Sequence, residues 1–218
     1  MEKDFWLDRW KNEQIGFHEK EVNGYLSACW HRLHLPQGSA VFVPLCGKST
    51  DLIWLRDHGH PVIGVELSKL AVQGFFKEND YTANCVHSGK FERCEANGIR
   101  IDCGDYFDLS KQDKAQVKAV YDRAALVALP PEMRQRYVQH QVNILPVKTQ
   151  ILLISFDYSQ AEMPGPPFAV SPAEIETLYR HHAKIHLLSQ TDALPQNPRF
   201  KSRGLTHLQE SVYLLTLK

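Results

Sequence analysis

Residues Val41 to Ser68, VFVPLCGKSTDLIWLRDHGHPVIGVELS, decide the fold of this chain. Val41, Phe42 and Val43 make a short buried strand, and Gly47 permits a sharp turn. Leu52, Ile53, Trp54 and Leu55 follow at helical spacing, Gly59 stops the helix, and Val62 to Val65 form a second apolar strand ending at Glu66. Strand, turn, helix and strand with a terminal acid is half of a nucleotide-binding α/β fold. Glu66, about 20 residues past the turn, suits hydrogen bonds to ribose hydroxyls.

The turn chooses among nucleotide ligands. Gly47, Lys48 and Ser49 look like the end of a phosphate loop, but Phe42 stands where that motif needs its first glycine. No two glycines are spaced as a dinucleotide fingerprint requires, which disfavours NAD and FAD. S-adenosylmethionine has adenine and ribose but no pyrophosphate, so one open turn and an acidic ribose anchor suffice. It is the expected cofactor.

A chain of 218 residues allows one α/β domain with a substantial core. We expect a single domain over residues 1–218, with residues 1–35 as a helical lid. Formal net charge is zero and no block of about five basic residues occurs, which argues against a nucleic-acid partner. The opening MEKDFWLDRWKNE lacks the apolar core of a signal peptide, and no apolar run approaches the roughly 18 residues of a membrane span. A cytoplasmic protein is expected, with no membrane partner and, absent any heptad pattern, a monomer. The five cysteines read as reduced thiols. Cys85, Cys94 and Cys103 lack the close pairing of zinc ligands, as do His31 with His34 and His181 with His182, so no metal is expected.

Outward from the opening unit, Phe5 to Lys11 and Val22 to Leu33 are amphipathic. Ser68 caps a helix through Val72, Phe75 and Phe76. Asn97 and Gly98 join two alternating segments, Phe91 to Ala96 and Ile99 to Cys103, into a hairpin that adds a strand beside the third core strand. Val117 to Tyr121 is the fourth strand, Pro131 opens a long helix, and Thr149 to Phe156 is the fifth strand. Ser171 caps a further helix. Strands Lys184 to Leu188 and Ser211 to Leu217 are joined by residues without helical periodicity, so the last strand returns antiparallel rather than through a helical crossover. Loops at the carboxyl ends of the strands, including MPGPPF at Met163 to Phe168, outrank others as site candidates.

Together these tracts carry a family resemblance: WLDRW (Trp6 to Trp10), GFHE (Gly16 to Glu19), PLCGK (Pro44 to Lys48), GVELS (Gly64 to Ser68), DRAAL (Asp122 to Leu126), PGPPF (Pro164 to Phe168) and YLLT (Tyr213 to Thr216). In order and spacing over nearly the whole length, the chain resembles the thiopurine S-methyltransferase family of bacterial type. The resemblance implies a Rossmann-like class I methyltransferase fold. It has a seven-stranded, mostly parallel sheet, an antiparallel last strand and helices on both faces. It also implies methyl transfer from S-adenosylmethionine to the sulfur of aromatic or heterocyclic thiols, with selenium and tellurium compounds as further acceptors in detoxification.

By the same resemblance, Trp10, Leu45, Glu66 and Arg123 contact the cofactor. Trp10 offers a ring face to a sulfonium, and Leu45, standing where many methyltransferases have the first glycine of the loop, contributes backbone groups. Arg123 pairs with a carboxylate or faces the acceptor, its structural alternative being an ion pair with Asp122. Asp105 and Tyr106 follow the third core strand, where this fold class meets adenine; turn chemistry is the alternative for Asp105. Phe17 and Arg199 match acceptor-side positions, and Arg123 and Arg199 together favour an ionised acceptor. No Ser-His-Asp or Cys-His set is evident. Amine methylation lacks its Asn/Asp-Pro-Pro-aromatic motif, and an oxidoreductase lacks a Tyr-x-x-x-Lys pair. A non-catalytic cofactor-binding module is the remaining alternative, opposed by Glu66, Arg123 and the aromatic lid.

Overall fold

A computed structural model describes residues 3–16 and 18–218. Its strands are β1 (Ala40–Val43), β2 (Val62–Glu66), β3 (Asn84–Ser88), β4 (Phe91–Ala96), β5 (Ile99–Cys103), β6 (Val117–Arg123), β7 (Gln150–Asp157), β8 (Ala183–Asp192) and β9 (Gln209–Leu217). Among the described residues they form one mixed sheet in the order β3-β4-β5-β2-β1-β6-β7-β9-β8. The pairs from β5 through β7 are parallel, and β9 runs antiparallel to both β7 and β8.

The helices are α1 (Lys3–Lys11), α2 (Gly24–Cys29), α3 (Asp51–Asp57), α4 (Lys69–Glu78), α5 (Lys111–Lys114), α6 (Pro131–Ile144), α7 (Pro172–Tyr179) and α8 (Pro198–Ser202). Strand alternation sends successive side chains to opposite faces and so builds two cores. Phe42, Val120 and Leu153 pack on one face with Tyr137 and Val138 of α6 and Ile175 and Tyr179 of α7. Val41, Val43, Tyr121 and Leu152 pack on the other with Leu26 of α2, Leu52 and Leu55 of α3, and Phe75 of α4. Helices therefore cover both faces of a largely parallel sheet, as expected. The lone buried side chain of α1 is Trp10.

Local signals behave as the sequence predicts. The Ser68 hydroxyl accepts from Ala71 N at 3.3 Å and Ser171 from Glu174 N at 3.2 Å, capping α4 and α7. Pro131 occupies the first turn of α6, where its missing N–H costs nothing. Asn97 and Gly98 both take positive φ, 49° and 76°, as a two-residue hairpin turn requires.

Three expectations are corrected. The sheet has nine strands rather than seven: β4 is the added hairpin strand expected from the sequence, and β3, four of whose five residues are exposed, extends it with no apolar alternation to announce it. The connection from β8 to β9 is not structureless: α8 interrupts it, and Phe200 joins Tyr158, Met163, Leu205 and Leu208 in a small core of its own. Pro198 opens that short helix, too short for periodicity to show. Finally, not all cysteines are free. Cys85 and Cys94 stand directly opposite in the β3–β4 ladder, with Cα atoms 4.1 Å apart, and are joined in a disulfide, a pairing invisible while β3 was unread. Cys29, Cys46 and Cys103 are thiols.

Candidate active site

A cavity of about 1340 Å³ opens beyond the carboxyl ends of β1, β2, β5 and β6. Strand direction delivers Leu45, Glu66, Asp105 and Arg123 to it in turn, since each ends or follows one of those strands. Trp10 of α1, Tyr106 and Arg199 of α8 also line it. Seven of the eight residues expected at a site thus face one space. The eighth, Phe17, lies outside the described residues.

The cradle is built on the turn after β1. Leu45 holds φ 48° and Gly47 φ 53°, left-handed values that cost a residue with a Cβ about 1–2 kcal/mol. The twist turns backbone groups of this loop toward Glu66. One carboxylate oxygen of Glu66 accepts from Gly47 N at 2.9 Å and the other from Ser68 N at 2.7 Å, while Cys46 N donates to Val65 O at 3.0 Å. A Cβ on Gly64 would lie 2.6 Å from the Cys46 sulfur, so the glycine before Val65 lets the turn close on β2. A Cβ on Gly47 would stand 3.2 Å from the Trp10 ring, and Trp10 is therefore seated on the turn itself. Burial pushes the Glu66 carboxyl upward, opposed by the N–H groups of Ser68, Gly47 and Leu67. Its hydrogen bonds to Gly47 and Ser68 leave carboxylate lone pairs that a ligand can meet.

Asp105 serves the fold visibly. It accepts from Phe107 N at 2.9 Å, capping a 3-10 turn over Tyr106–Asp108, and pairs with Lys3 of α1 at 2.7 Å. Although burial opposes its charge, Lys3 and the Phe107 N–H hold it below the usual carboxylate range. Tyr106 is buried, its ring stacked on Tyr137 at 4.8 Å. It walls the cavity from within the core.

At the end of β6 two guanidinium groups converge on one carboxylate. Arg123 contacts Glu19 at 2.6 Å and Arg199 the other oxygen of Glu19 at 3.8 Å, while Arg199 also donates to Gly16 O. Arg123 does not pair with Asp122. Asp122 turns to the other face, where it is fully buried and accepts from Tyr137 Oη at 2.6 Å and Leu126 N at 3.2 Å. The next residue, Ala124, has φ 71°, so the chain leaves β6 through a left-handed turn that keeps Arg123 over the cavity. Burial works against the Arg123 charge, and Tyr121, Glu19 and Asp51 more than restore it.

Sequence reasoning missed four lining residues. Glu19 was in view within GFHE but had no role, because its partners lie far along the chain. Asp51 is buried and accepts from Asn23 N and Tyr121 Oη, each at 2.9 Å; it ties the start of α2 to β6. Neither it nor Tyr121 carries a motif. Glu210 stands near the start of β9 and is 8 % exposed. Burial raises its carboxyl to about 7, with Arg123 pulling down, Glu19 pushing up and Tyr25 pulling down.

The family model for thiopurine S-methyltransferase matches residues 1–218. The chain is 57% identical over 215 residues to a thiopurine S-methyltransferase of Nitrosospira multiformis, covering 99% of this chain and 98% of that one. It is 48% identical over 220 residues to one of Marinobacter nauticus, covering 100% of each. Among solved structures it resembles an S-adenosylmethionine-dependent methyltransferase of Anabaena variabilis, with TM-score 0.66 and 16% identity over 99% of this chain and 95% of that one. It also resembles 1,6-didemethyltoxoflavin-N1-methyltransferase of Burkholderia thailandensis, solved with S-adenosylhomocysteine, with TM-score 0.65 and 15% identity over 98% and 87%. At those identities the likeness is one of fold. The identity and coverage of the sequence relatives carry more: the chain belongs to the thiopurine S-methyltransferase family.

Proposed function

We propose that the protein moves the methyl group of S-adenosylmethionine to the sulfur of an aromatic or heterocyclic thiol, thiopurines included, and that selenium and tellurium compounds are acceptors at the same site. Family membership makes the chain an S-adenosylmethionine-dependent methyltransferase; the acceptor and the residue roles are our reading. The observation that carries it is that one cavity gathers two groups of residues in strand order. The Leu45–Gly47 turn with Glu66 follows β1 and β2, and the Arg123–Glu19–Arg199 cluster gathers at the end of β6.

The first group fits the cofactor on the evidence of its own atoms. Glu66 has uncommitted lone pairs at the end of β2, suited to ribose hydroxyls, and the left-handed turn at Leu45 brings backbone rather than side chain to the methionine part. Trp10 would add a ring face to the sulfonium, a contact of order 1 kcal/mol when desolvated. Asp105 and Tyr106 bound the adenine side. When bound, the cofactor supplies an electrophilic methyl carbon.

Everything else rests on placement. Arg123 and Arg199 favour the ionised form of the acceptor by charge and hold it in line. The lid, residues 1–35, closes over the reacting atoms and excludes water. Phe17 belongs to the acceptor side of this reading. A small-molecule acceptor, a monomer and a cytoplasmic location complete it; among the described residues no helix is long and apolar enough to cross a membrane.

Calorimetric titration with S-adenosylmethionine and with NAD, followed by methyl-transfer assays on thiopurines, thiophenols, selenite and tellurite, tests the proposal. Binding of S-adenosylmethionine with transfer to a thiol is expected. Tight binding of NAD without S-adenosylmethionine, or no transfer to any thiol, would refute it.

A further inference from the structure

The ligand end of the sheet holds a further buried carboxyl, at the start of its last strand in sequence. Glu210 is the second residue of β9, is buried, and lines the same cavity as Glu66 and Arg123. Strand direction puts it there. Because β9 is antiparallel to β7, its first residues lie beside the last residues of β7, with Glu210 opposite Phe156. That is the end of the sheet where the parallel strands present their ligand-binding groups.

The surroundings of Glu210 distinguish it from the arginines and from Glu19 nearby. Its cross-strand neighbours, Phe156 in β7 and Thr191 in β8, are uncharged. Asp157 and Asp192 stand one register position away, opposite Gln209. The groups that act on it come from Arg123 at the end of β6, Glu19 between α1 and α2, and Tyr25 in α2. Arg199 and Arg203 line the cavity from α8 and its end. Guanidinium groups cannot accept a proton. Glu19 is committed to two of them, whereas Glu210 makes no ion pair among the described residues.

We propose that Glu210 is the catalytic residue that accepts the proton of a neutral thiol as its sulfur is methylated, an assignment that rests on the thiol-transfer reading above. The S–H bond breaks and its proton passes to a Glu210 carboxylate oxygen. The electron pair stays on sulfur and forms the S–CH3 bond, and the methyl–sulfonium bond breaks with its pair going to the departing thioether. The products are a methyl thioether, S-adenosylhomocysteine and a protonated Glu210, which returns its proton to water when the site opens. A carboxylate in water is too weak a base for such a proton. Burial raises this one to about 7, against the pull of Arg123 and Tyr25 and with the push of Glu19, into the range where a general base works best at neutral pH.

The test compares Glu210→Gln with the unmodified enzyme on two acceptors: an alkyl-type thiol with the ordinary pKa of about 8.5, and an electron-poor thiophenol already ionised at pH 7. With the neutral thiol kcat falls about 100-fold or more, and with the ionised thiol the loss is at least about 10-fold smaller. The KM for S-adenosylmethionine stays within the range of the unmodified enzyme. The unmodified enzyme shows an acid limb near pH 7 in its rate profile with the neutral thiol and none with the ionised one. This second measurement holds even if the variant does not fold. Equal losses on both thiols, undiminished turnover of the neutral one, or a pH limb shared by both would overturn the assignment. An unmodified enzyme that binds S-adenosylmethionine but methylates neither thiol overturns the thiol reading itself, and this assignment with it.

Discussion

Glu210 makes a claim on stability that is independent of any acceptor. Its carboxyl is raised from a glutamate's ordinary 4.5 to about 7, so the folded protein binds that proton more tightly than the unfolded chain does. The stabilisation is fully present below pH 4.5 and is lost as pH rises through about 7. The interval corresponds to about 3 kcal/mol of folding free energy. Glutamine in place of Glu210 keeps the shape and the polar contact to Tyr25 but cannot ionise, so it escapes this loss. The variant is therefore expected to gain on the unmodified protein by about 3 kcal/mol between pH 4.5 and pH 8.5. Guanidinium denaturation of both proteins at half-unit pH steps measures the gap, and every other titrating group cancels in the difference. Parallel curves across that range would refute both the burial argument and the elevated carboxyl. A growing gap with undamaged structure would show that the enzyme tolerates a destabilising charge at its active site, as catalytic groups commonly require.

The remaining predictions concern the rest of the cavity. Glu66→Ala strips acceptors from two N–H groups, at Gly47 and Ser68, and is expected to cost about 1–3 kcal/mol for each donor left buried as well as cofactor affinity. Wild-type stability in denaturant would remove Glu66 from the turn, and unchanged calorimetric affinity would remove it from the site. Gly47→Ala places a methyl at φ 53° against the Trp10 ring; a loss of about 1–2 kcal/mol and weaker cofactor binding are expected, and a variant identical to the parent in both would show that Trp10 is not seated on the turn. Arg199→Ala should raise acceptor KM or lower kcat while calorimetry with S-adenosylmethionine changes little; the reverse pattern contradicts its acceptor role. Glu19→Gln loosens both arginines and should alter acceptor kinetics in the presence of an intact fold, read by circular dichroism alongside the assay.

The turn after β1 and its acidic partner were legible because their signals are local. Val41 to Val43, Gly47, Val62 to Val65 and Glu66 lie within one strand-turn-helix-strand unit, and each residue type follows from what its neighbours in sequence demand. The arginine cluster proposed to meet the acceptor was legible only as a resemblance. Arg123, Glu19 and Arg199 meet across three separate segments, and no periodicity encodes that meeting. Glu210 was hidden further, since an acid opening a strand such as Ser211 to Leu217 reads as a solvated end until the antiparallel partner is known. β3 escaped because its side chains face solvent, and the Cys85–Cys94 bond escaped with it. Asp105 shows the converse: its position was right, and the structure adds that Lys3 and the Phe107 N–H already engage it.

Helix α1 forms part of the cavity wall, yet it is anchored differently from everything around it. The sheet strands and α2 are fixed by ladders, buried cores and the Asp51 bridge, whereas α1 buries one side chain, Trp10, and reaches Asp105 through a lysine that is 61% exposed. An exposed ion pair contributes about 0–1 kcal/mol, and one large buried side chain about 3 kcal/mol. By burial and by this ion pair, α1 is held less firmly than the sheet and α2. On that reading, release of α1, about two and a half turns long, is the step that would open the amino-terminal side of the cavity while the sheet stays folded. Higher ionic strength, which screens Lys3 from Asp105, should then quicken product departure without moving the temperature at which the core melts.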